Sequence, residues 1–303
     1  MRIVFLSYSD FKGGASIAAH SIFKAINKKN TFFLTVEKKY KKSVLIFSYF
    51  RRLCIFTFRV LEKIIIFLFN KSKFHQSLNI FNTFIKKKIE VYKPDIINLH
   101  WINRSMISLN EINNLKSKLV FSLHDMWFFS PTQHYFVKEE NKNFISKYCW
   151  KIKKKIIYKK NVFFIAHNKW MLSQIIKRYP KLKNKIFLSN NYPIDTNLFK
   201  PRNKINLRKK YKLPLNKKII FFSAQDINDE RKGFKYFMQI VKKLSNNKDL
   251  FFLSLGRNET DAEIYENYKH INFISNKRSS ELYSLSDIFL CTSTIDNLPL
   301  TIL

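Results

Sequence analysis

The stretch "RIVFLSYSDFKGGASIAAHSIFKAI" (residues 2–26) predicts the fold class of this chain. Its opening run is almost continuously apolar, which indicates a short strand buried on both faces. Gly13 and Gly14 then form a turn, and a helical pattern follows them directly. A strand, a turn and a helix in this order begin a βαβ unit, which predicts an α/β fold with a parallel sheet covered by helices.

The same rhythm recurs along the whole chain. Further short apolar runs lie at 31–36, 95–101, 118–125, 162–167, 185–190, 217–224, 250–256, 271–275 and 286–293. A polar, lysine-rich stretch at about 191–216 interrupts them, and it contains Pro193 and Pro201. Such a stretch is typical of an interdomain connection. We therefore predict two α/β domains, at 1–200 and 201–303.

The charge of the chain is unusually positive. It has 56 Lys and Arg residues against 21 Asp and Glu residues, which leaves a net charge of +35. Such an excess favours phosphate, nucleic acid or an anionic membrane as a partner. A biased base composition would also produce many Lys, Asn, Ile and Phe residues, so charge alone identifies no partner. No zinc finger, helix-turn-helix or RNA-binding aromatic motif is present, and no nucleic-acid partner is expected.

The cysteines and the N-terminus favour a cytoplasmic protein. Cys54, Cys149 and Cys291 lie far apart and form no CxxC pair, which indicates reduced thiols and no structural zinc or other metal site. The N-terminal apolar run is too short for a signal peptide.

The most membrane-like segment is "RRLCIFTFRVLEKIIIFLFNKSK" (51–73), but its internal charges argue against a spanning helix. At about 100° per residue, five charged residues fall within about 120° of one another. They are Arg51, Arg52, Arg59, Glu62 and Lys63. The segment is therefore an amphipathic, net-basic helix. It is either a domain helix with one solvated side or a helix that docks onto an anionic bilayer surface.

Glycines and histidines at predicted strand ends mark a candidate site. Ligands of open α/β sheets bind outside the carboxyl ends of the strands, where turns and helix N-termini present N–H groups. The Gly13-Gly14 turn is therefore a candidate approach point for phosphate or sugar. His100 and His124 each end an apolar run, and an imidazole there can hydrogen-bond a substrate hydroxyl or act as a base. The alternative is a structural histidine whose hydrogen bonds are internal.

A second candidate lies before the helical pattern that starts near residue 234. Arg231 and Lys232 precede Gly233 there. Two cations beside a helix N-terminus repel its positive dipole unless an anion such as a diphosphate lies between them. The alternative is a solvated basic turn. No Walker A motif, DxD metal motif or GxSxG motif accompanies these residues.

Taken in order, the motifs resemble retaining GT-B glycosyltransferases of the class often called family 4, especially bacterial members that build surface polysaccharides. The motifs are "GGASIAAH" (13–20), "DIINLHWI" (95–102), "LHDMWFFSPTQHY" (123–135), "NNYPIDTNLFKP" (190–201), "RKGF" (231–234) and "ELYSLSDIFLCTSTIDNLPLTIL" (281–303). The resemblance implies two Rossmann-like domains facing a cleft, with the acceptor on the first (1–200) and a nucleotide-sugar on the second (201–303).

The resemblance also implies a role for each matching residue. Gly13 and Gly14 would approach the donor phosphates and the transferred sugar, and His124 would contact that sugar. Arg231 and Lys232 would neutralise the leaving diphosphate, so that no metal or other cofactor is expected.

The last motif would cradle the sugar and phosphates of the donor through Asp296, Asn297 and Leu298. In such enzymes an acidic residue, here Asp296, is followed after seven residues by a glutamate that holds the ribose. That glutamate would come directly after Leu303. The resemblance therefore implies a second domain that is incomplete, truncated at its C-terminal end.

The predicted function is a hexosyltransferase-like glycosyltransferase. It would move a sugar from a nucleotide-diphosphate sugar to a lipid-linked or growing surface glycan, in polysaccharide or lipopolysaccharide biosynthesis, with retention of configuration. The chain would then be cytoplasmic and peripheral on the inner membrane face, with an anionic membrane surface as a partner. The alternative is an inactive truncated remnant that acts only as a membrane- or acceptor-binding protein.

Overall fold

The computed structural model of the chain describes residues 1–26, 28–69, 75–135, 143–189, 192–257, 265–272 and 275–303. It divides into two compact units, Met1–Pro193 and Ile194–Leu303. The division falls within the polar stretch at 191–216. Each unit contains a parallel sheet, so the predicted α/β class is confirmed.

The first unit contains a seven-stranded sheet with the order β3-β2-β1-β4-β5-β6-β7. Its strands are β1 (Ile3–Ser9), β2 (Thr31–Glu37), β3 (Ser43–Leu45), β4 (Ile96–Leu99), β5 (Lys118–Leu123), β6 (Val162–Ala166) and β7 (Ile186–Leu188). Its α-helices are α1 (Gly14–Ile26), α2 (Tyr49–Phe69), α3 (Ile85–Glu90), α4 (Leu109–Asn113), α5 (Phe144–Ile157) and α6 (Lys169–Arg178). Of these strands, only β3 had no counterpart among the predicted apolar runs.

The second unit contains a four-stranded sheet with the order β10-β9-β8-β11. Its strands are β8 (Lys218–Asp226), β9 (Leu250–Arg257), β10 (Tyr268–Ile271) and β11 (Ile288–Phe289). Its helices are α7 (Lys204–Lys210), α8 (Phe234–Lys243) and α9 (Asn276–Leu285), with a 3-10 turn at Glu230–Lys232. The run predicted at 271–275 was placed too late, because β10 ends at Ile271; residues 273 and 274 lie outside the described residues.

The central strand β1 shows why continuous apolar runs form this sheet. Val4 and Leu6 are completely buried in the large core of the first unit. Phe5 points to the opposite face, where it packs against Phe23 of α1 and Phe33 of β2. Since burial of one such side chain contributes about 1.5–3 kcal/mol, both faces of the strand stabilise the unit.

Each sheet has one point where the direction of strand addition reverses. In the first unit the chain adds β2 and β3 on one side of β1 and then returns to place β4 on the other side. In the second unit the corresponding reversal lies between β8 and β11. Helices diverge to opposite faces at such a switch point, which opens a crevice at the carboxyl edge of the sheet.

The amphipathic segment forms α2, and residues 70–73 of it lie outside the described residues. The expectation of a domain helix with a solvated polar side is wrong for Arg59 and Glu62, the two residues in the middle of the polar arc. The Glu62 side chain is only 4% exposed and accepts a hydrogen bond from the Ile80 backbone N–H (3.4 Å). Arg59 donates to the hydroxyl of Tyr8 at 2.9 Å. The middle of the polar arc therefore packs against the unit, which leaves the apolar arc in solvent.

No α-helix within the described ranges is long and apolar enough to cross a membrane.

Candidate active site

Three histidines occupy equivalent positions at the carboxyl edge of the first sheet. His100, His124 and His167 directly follow the neighbouring strands β4, β5 and β6. Parallel strands bring such residues side by side, and Nδ1 of His100 lies 2.9 Å from Nε2 of His124. The rings of His124 and His167 stack with their centroids 5.3 Å apart. The outcome is a row of imidazoles at the predicted edge.

Both ring nitrogens of His124 have partners within the unit. Nε2 bonds with His100, and Nδ1 lies 3.1 Å from the hydroxyl of Tyr192. A neutral imidazole has one donor nitrogen and one acceptor nitrogen, so these two contacts use both. A substrate hydroxyl can therefore bond to His124 only if it replaces one of these partners.

The histidine row is uncharged at neutral pH. Burial lowers the pKa of His100 to about 3, because the imidazolium would be removed from water, and His167 adds to the effect. Burial also lowers the pKa of His124 well below its usual value, with smaller contributions from the neighbouring imidazoles. The row can therefore exchange hydrogen bonds with hydroxyl groups, but it offers no cation to a phosphate.

The loop after β5 is held by Asp125. Its carboxylate lies 2.6 Å from Nδ1 of His134 and accepts a hydrogen bond from the Trp127 backbone N–H at 2.9 Å. Burial alone would raise the pKa of Asp125, but His134 and the hydrogen bonds outweigh it and lower that pKa. Nε2 of His134 in turn lies 3.0 Å from the Ser77 hydroxyl. These contacts commit Asp125 to holding the loop.

A buried lysine supports the same loop from α5. Lys153 is completely buried, and its ammonium donates to the backbone carbonyls of Trp127 (2.7 Å), Ser130 (2.9 Å) and Pro131 (3.1 Å). Burial lowers its pKa to about 7. Three carbonyls match the three N–H donors of an ammonium group, so Lys153 positions the backbone that follows His124.

A pocket opens beside the ends of β4 and β5. His100, Trp101, Asn103, Ser122 and His124 are among its lining residues. It therefore lies where the sequence places the histidine site.

The predicted glycine turn follows β1, the strand that lies beside β4 in the sheet. Gly13 has φ of 90°, in the left-handed region that glycine tolerates, and α1 begins at Gly14. Because β1 is the neighbour of β4, this turn and His100 flank the switch point of the first sheet.

In the second unit the structure brings together Lys232 and Asp296. Lys232 ends the 3-10 turn after β8, and Asp296 lies in the loop after β11. Nζ of Lys232 is 2.5 Å from Oδ2 of Asp296, across the switch point. Arg231 has a different carboxylate partner, because its guanidinium donates to Oδ2 of Asp229 at 2.5 Å.

The two loops at this switch point pack backbone against backbone. Gly233 has φ of 70° and is the N-cap of α8, and a Cβ there would lie 2.0 Å from the carbonyl oxygen of Thr292. The Thr292 hydroxyl donates to the Gly233 carbonyl at 2.9 Å. A glycine is therefore required for the loop after β11 to reach α8.

The remaining predicted residues lie in that loop. Asn297 is 9% exposed, and its backbone N–H donates to Oδ1 of Asp296 at 3.0 Å. Leu298 is half-buried. The loop thus carries Asp296, Asn297 and Leu298, and the pair with Lys232 places Asp296 next to the N-terminus of α8.

Sequence reasoning missed three residues, two that the structure places at the histidine row and one that supports the loop after β5. His167 had a usable signal, since it ends the run "VFFIAH" (162–167) as His100 and His124 end theirs. Tyr192 lies in a polar connecting stretch, and Lys153 lies in the basic helix segment "KIKKKII" (151–157). Neither of these two has a local pattern that distinguishes it from a surface residue.

In the part of the chain that the structure describes, no group of three or more His, Cys, Asp and Glu side chains is placed to hold a metal ion. The three cysteines are free thiols.

No protein-family model matches the sequence, and no curated protein matches it. Solved structures do match. Sucrose-phosphate synthase from Thermosynechococcus elongatus superposes with a TM-score of 0.62 at 11% identity, over 99% of this chain and 77% of that chain. WaaG, a glycosyltransferase involved in lipopolysaccharide biosynthesis, has a TM-score of 0.62 at 10% identity, over 96% of this chain and 75% of its own.

HepE from Anabaena, solved in complex with UDP and glucose, also has a TM-score of 0.62, at 14% identity. The match covers 98% of this chain and 75% of that chain. At such identities the likeness establishes the fold. The chain therefore has the GT-B fold that its motif order predicts, and it spans about three quarters of the length of each of these three chains.

Proposed function

We propose that the chain is a glycosyltransferase that moves a sugar from a nucleotide-diphosphate sugar to a lipid-linked or growing surface glycan, with retention of configuration. The observation that carries the proposal is the meeting of Lys232 and Asp296 at the switch point of the second sheet, beside the N-terminus of α8. The GT-B fold supports it, as does the binding of UDP and glucose by HepE.

In this proposal the second unit binds the donor. The ammonium of Lys232 and the first backbone N–H groups of α8 neutralise the leaving diphosphate, which is electrostatic stabilisation by groups already in place. Asp296 holds Lys232 before the donor arrives, and Asp296, Asn297 and Leu298 then cradle the sugar and phosphates of the donor. Arg231 contributes after it leaves Asp229. The proposal includes no metal and no other cofactor.

The first unit supplies the contacts to the transferred sugar and the acceptor. Neutral His124 exchanges its hydrogen bond with Tyr192 for one with a sugar hydroxyl, which requires no change of charge in a buried site. The Gly13-Gly14 turn lets the donor approach the backbone. Residues 1–200 form the acceptor domain of the proposal, and residues 201–303 form the donor domain.

The proposal of a lipid-linked or surface-glycan acceptor has less support than the proposal of a nucleotide-sugar donor. WaaG is involved in lipopolysaccharide biosynthesis. A lipid-linked acceptor would place this chain at the cytoplasmic face of a membrane, and the net charge of +35 favours contact with anionic lipids. We propose a cytoplasmic, peripherally bound protein on this basis.

Isothermal titration with UDP, GDP and their sugars tests the donor site. We expect one nucleotide to bind, and we expect Lys232→Met to weaken it about tenfold or more, because a charge-assisted bond to phosphate is lost. Lys243→Met is the matched control, since Lys243 is an exposed lysine in the last turn of α8, at the end opposite the proposed diphosphate site. No binding by a folded sample would contradict the proposal. Binding of the donor without transfer to any glycan acceptor would favour the alternative of a binding protein.

A further inference from the structure

Helix α2 exposes an apolar face that none of the described residues of the first unit covers. We call the following nine side chains the apolar face of α2: Tyr49, Phe50, Leu53, Phe56, Val60, Leu61, Ile64, Phe67 and Leu68. The largest are strongly exposed, with Phe50 at 75% and Phe67 at 78%. At about 100° per residue they cover a continuous arc, interrupted only by the exposed hydroxyl of Thr57. Contiguous exposed apolar surface of this kind marks an interaction site.

The opposite arc is anchored, so the helix cannot rotate to bury this face. Ile55 is 3% exposed and belongs to the core, and Glu62 accepts a backbone hydrogen bond from Ile80. Arg59 is bound to the hydroxyl of Tyr8. A rotation would break these contacts and leave the groups on the polar arc without partners.

We infer that the apolar face of α2 inserts into the interfacial region of an anionic lipid bilayer. Exposed Arg52 and Lys63 lie along one border of the face, about 300° and 320° around the helix from Tyr49 when each residue turns about 100°. An apolar stripe bordered by cations fits a surface whose acyl chains lie beneath anionic headgroups. With 21 residues, α2 is about 30 Å long, which is enough for a helix that lies in the plane of the membrane.

The charge pattern favours a lipid surface over the other occupants. A second copy of the chain would bring the same basic border and the same net charge of +35 against itself, which opposes association. Nucleic acid would satisfy the cations but would leave the nine apolar side chains in water.

This inference deepens the proposed function, on which it rests for the location of the acceptor. It assigns the membrane contact to insertion of apolar side chains, with the basic residues as flanking contacts. Vesicle binding needs neither donor nor acceptor, so its outcome is independent of the titration with nucleotides.

Vesicle co-sedimentation of the full chain tests the inference. We expect binding to phosphatidylcholine vesicles that contain phosphatidylglycerol, and much weaker binding to phosphatidylcholine alone. Phe56→Ser with Phe67→Ser is expected to weaken binding about tenfold or more, because two large apolar groups no longer leave water. The matched control is Phe187→Ser with Ile205→Ser, which removes two similarly exposed apolar side chains from other elements. It should bind like the unchanged chain.

The contribution of charge is measured separately. Arg52→Gln with Lys63→Gln should weaken binding to the anionic vesicles by about fivefold for each charge removed. Raised salt should weaken binding further, since it screens the lipid charge but leaves apolar insertion intact.

Three outcomes overturn the inference. The first is no binding of the unchanged chain to anionic vesicles. The second is equal binding by the Phe56→Ser, Phe67→Ser variant, and the third is a dimer that this substitution converts to a monomer in sedimentation, which would make a second copy the occupant. Tryptophan fluorescence of the same variant shows whether its first unit is folded, because all four tryptophans lie in that unit. If the unchanged chain bound vesicles but no nucleotide, that result would instead contradict the proposed function alone.

Discussion

In the first unit the switch point between β1 and β4 is flanked by the buried, neutral imidazole of His100, which bonds to His124, whereas in the second unit the switch point between β8 and β11 is bridged by a charged pair. His100 is 6% exposed, while the side chains of Lys232 and Asp296 are 26% and 17% exposed. The same topology therefore supports two kinds of chemistry.

The difference follows from the cost of desolvating charge. In the first unit the imidazoles remain neutral because a buried cation would be unfavourable, and neutral groups suit sugar hydroxyls. In the second unit the charges keep contact with water and with each other, and a cation beside a helix N-terminus suits a phosphate. Within the proposed function, the neutral groups of the first unit would contact the sugar and the charged pair of the second unit would contact the diphosphate.

The substitution with the largest expected effect disrupts the loop packing at the switch point of the second unit. Gly233→Ala places a Cβ against the carbonyl of Thr292 at a positive φ, so we expect the second unit to lose about 3 kcal/mol or more of stability. Hydrogen exchange of β8 and β11 should accelerate. The four tryptophans, at 101, 127, 150 and 170, all lie in the first unit. The unfolding of that unit, followed by tryptophan fluorescence, should therefore be unaffected. Lys235→Ala is the control, and protection of β8 equal to that of the control would contradict the prediction.

Acid should destabilise the first unit through its histidines. The pKa of His100 is about 3 in the folded unit and 6.5 when unfolded, so the unfolded chain binds more protons below pH 6.5. The stability that the neutral His100 ring contributes to the first unit is complete above pH 6.5 and is lost as pH falls towards 3. At pH 5 we expect a loss of about 2 kcal/mol from His100 alone, measured by tryptophan fluorescence in urea.

The second unit should respond to acid differently. Burial acts to raise the pKa of Asp287, but Lys204, Arg208 and the Ile219 N–H outweigh it and lower that pKa to about 2. Its contribution is therefore present above pH 3.8 and is lost only below it. Burial also lowers the pKa of half-buried His270, so the stability of the second unit depends on pH through His270 in the same direction as the stability of the first unit does through His100. An equal loss of stability in both units between pH 7 and 5 would contradict this comparison.

A smaller change would test the internal partners of His124. Tyr192→Phe removes the hydroxyl at Nδ1, and we expect a loss of about 1 kcal/mol in the stability of the first unit. The nitrogen chemical shifts of the His124 ring should change, because one of its two hydrogen bonds is lost. Unchanged shifts would show that the hydroxyl of Tyr192 does not bond to His124 in solution.

The smallest predicted effect concerns Arg231. Its pair with Asp229 is partly exposed, with side chains at 28% and 29%, so Arg231→Ala should change the stability of the second unit by less than about 0.5 kcal/mol in urea unfolding followed by hydrogen exchange. Nucleotide titration then decides its role. A loss of affinity as large as that of Lys232→Met would place Arg231 on the diphosphate, and no change would leave Lys232 as the principal cation.

Local patterns predicted the positions that depend on short stretches of chain. The continuous apolar runs identified β1, β5, β6, β8 and β9 because buried parallel strands need no alternation. The glycine turn after β1 and the histidines after β4 and β5 were also predictable, since strand ends of a parallel sheet meet at one edge. β3 was missed because three residues paired at a sheet edge leave almost no periodic signal.

Long-range contacts had no such signal. Lys232 and Asp296 are 64 residues apart in sequence, and they meet because β11 pairs with β8 and not with β10. Lys153 resembles its solvated neighbours in sequence, and only packing shows that its ammonium is enclosed by three carbonyls.

Helix α2 separates the two kinds of information. Its sequence sets an apolar arc and a polar arc, because the helical period of 3.6 residues fixes which side chains share a face. The same period holds whichever arc is buried. The packing of Ile55, Arg59 and Glu62 against the first unit decides that the apolar arc faces outward, because those contacts come from distant parts of the chain.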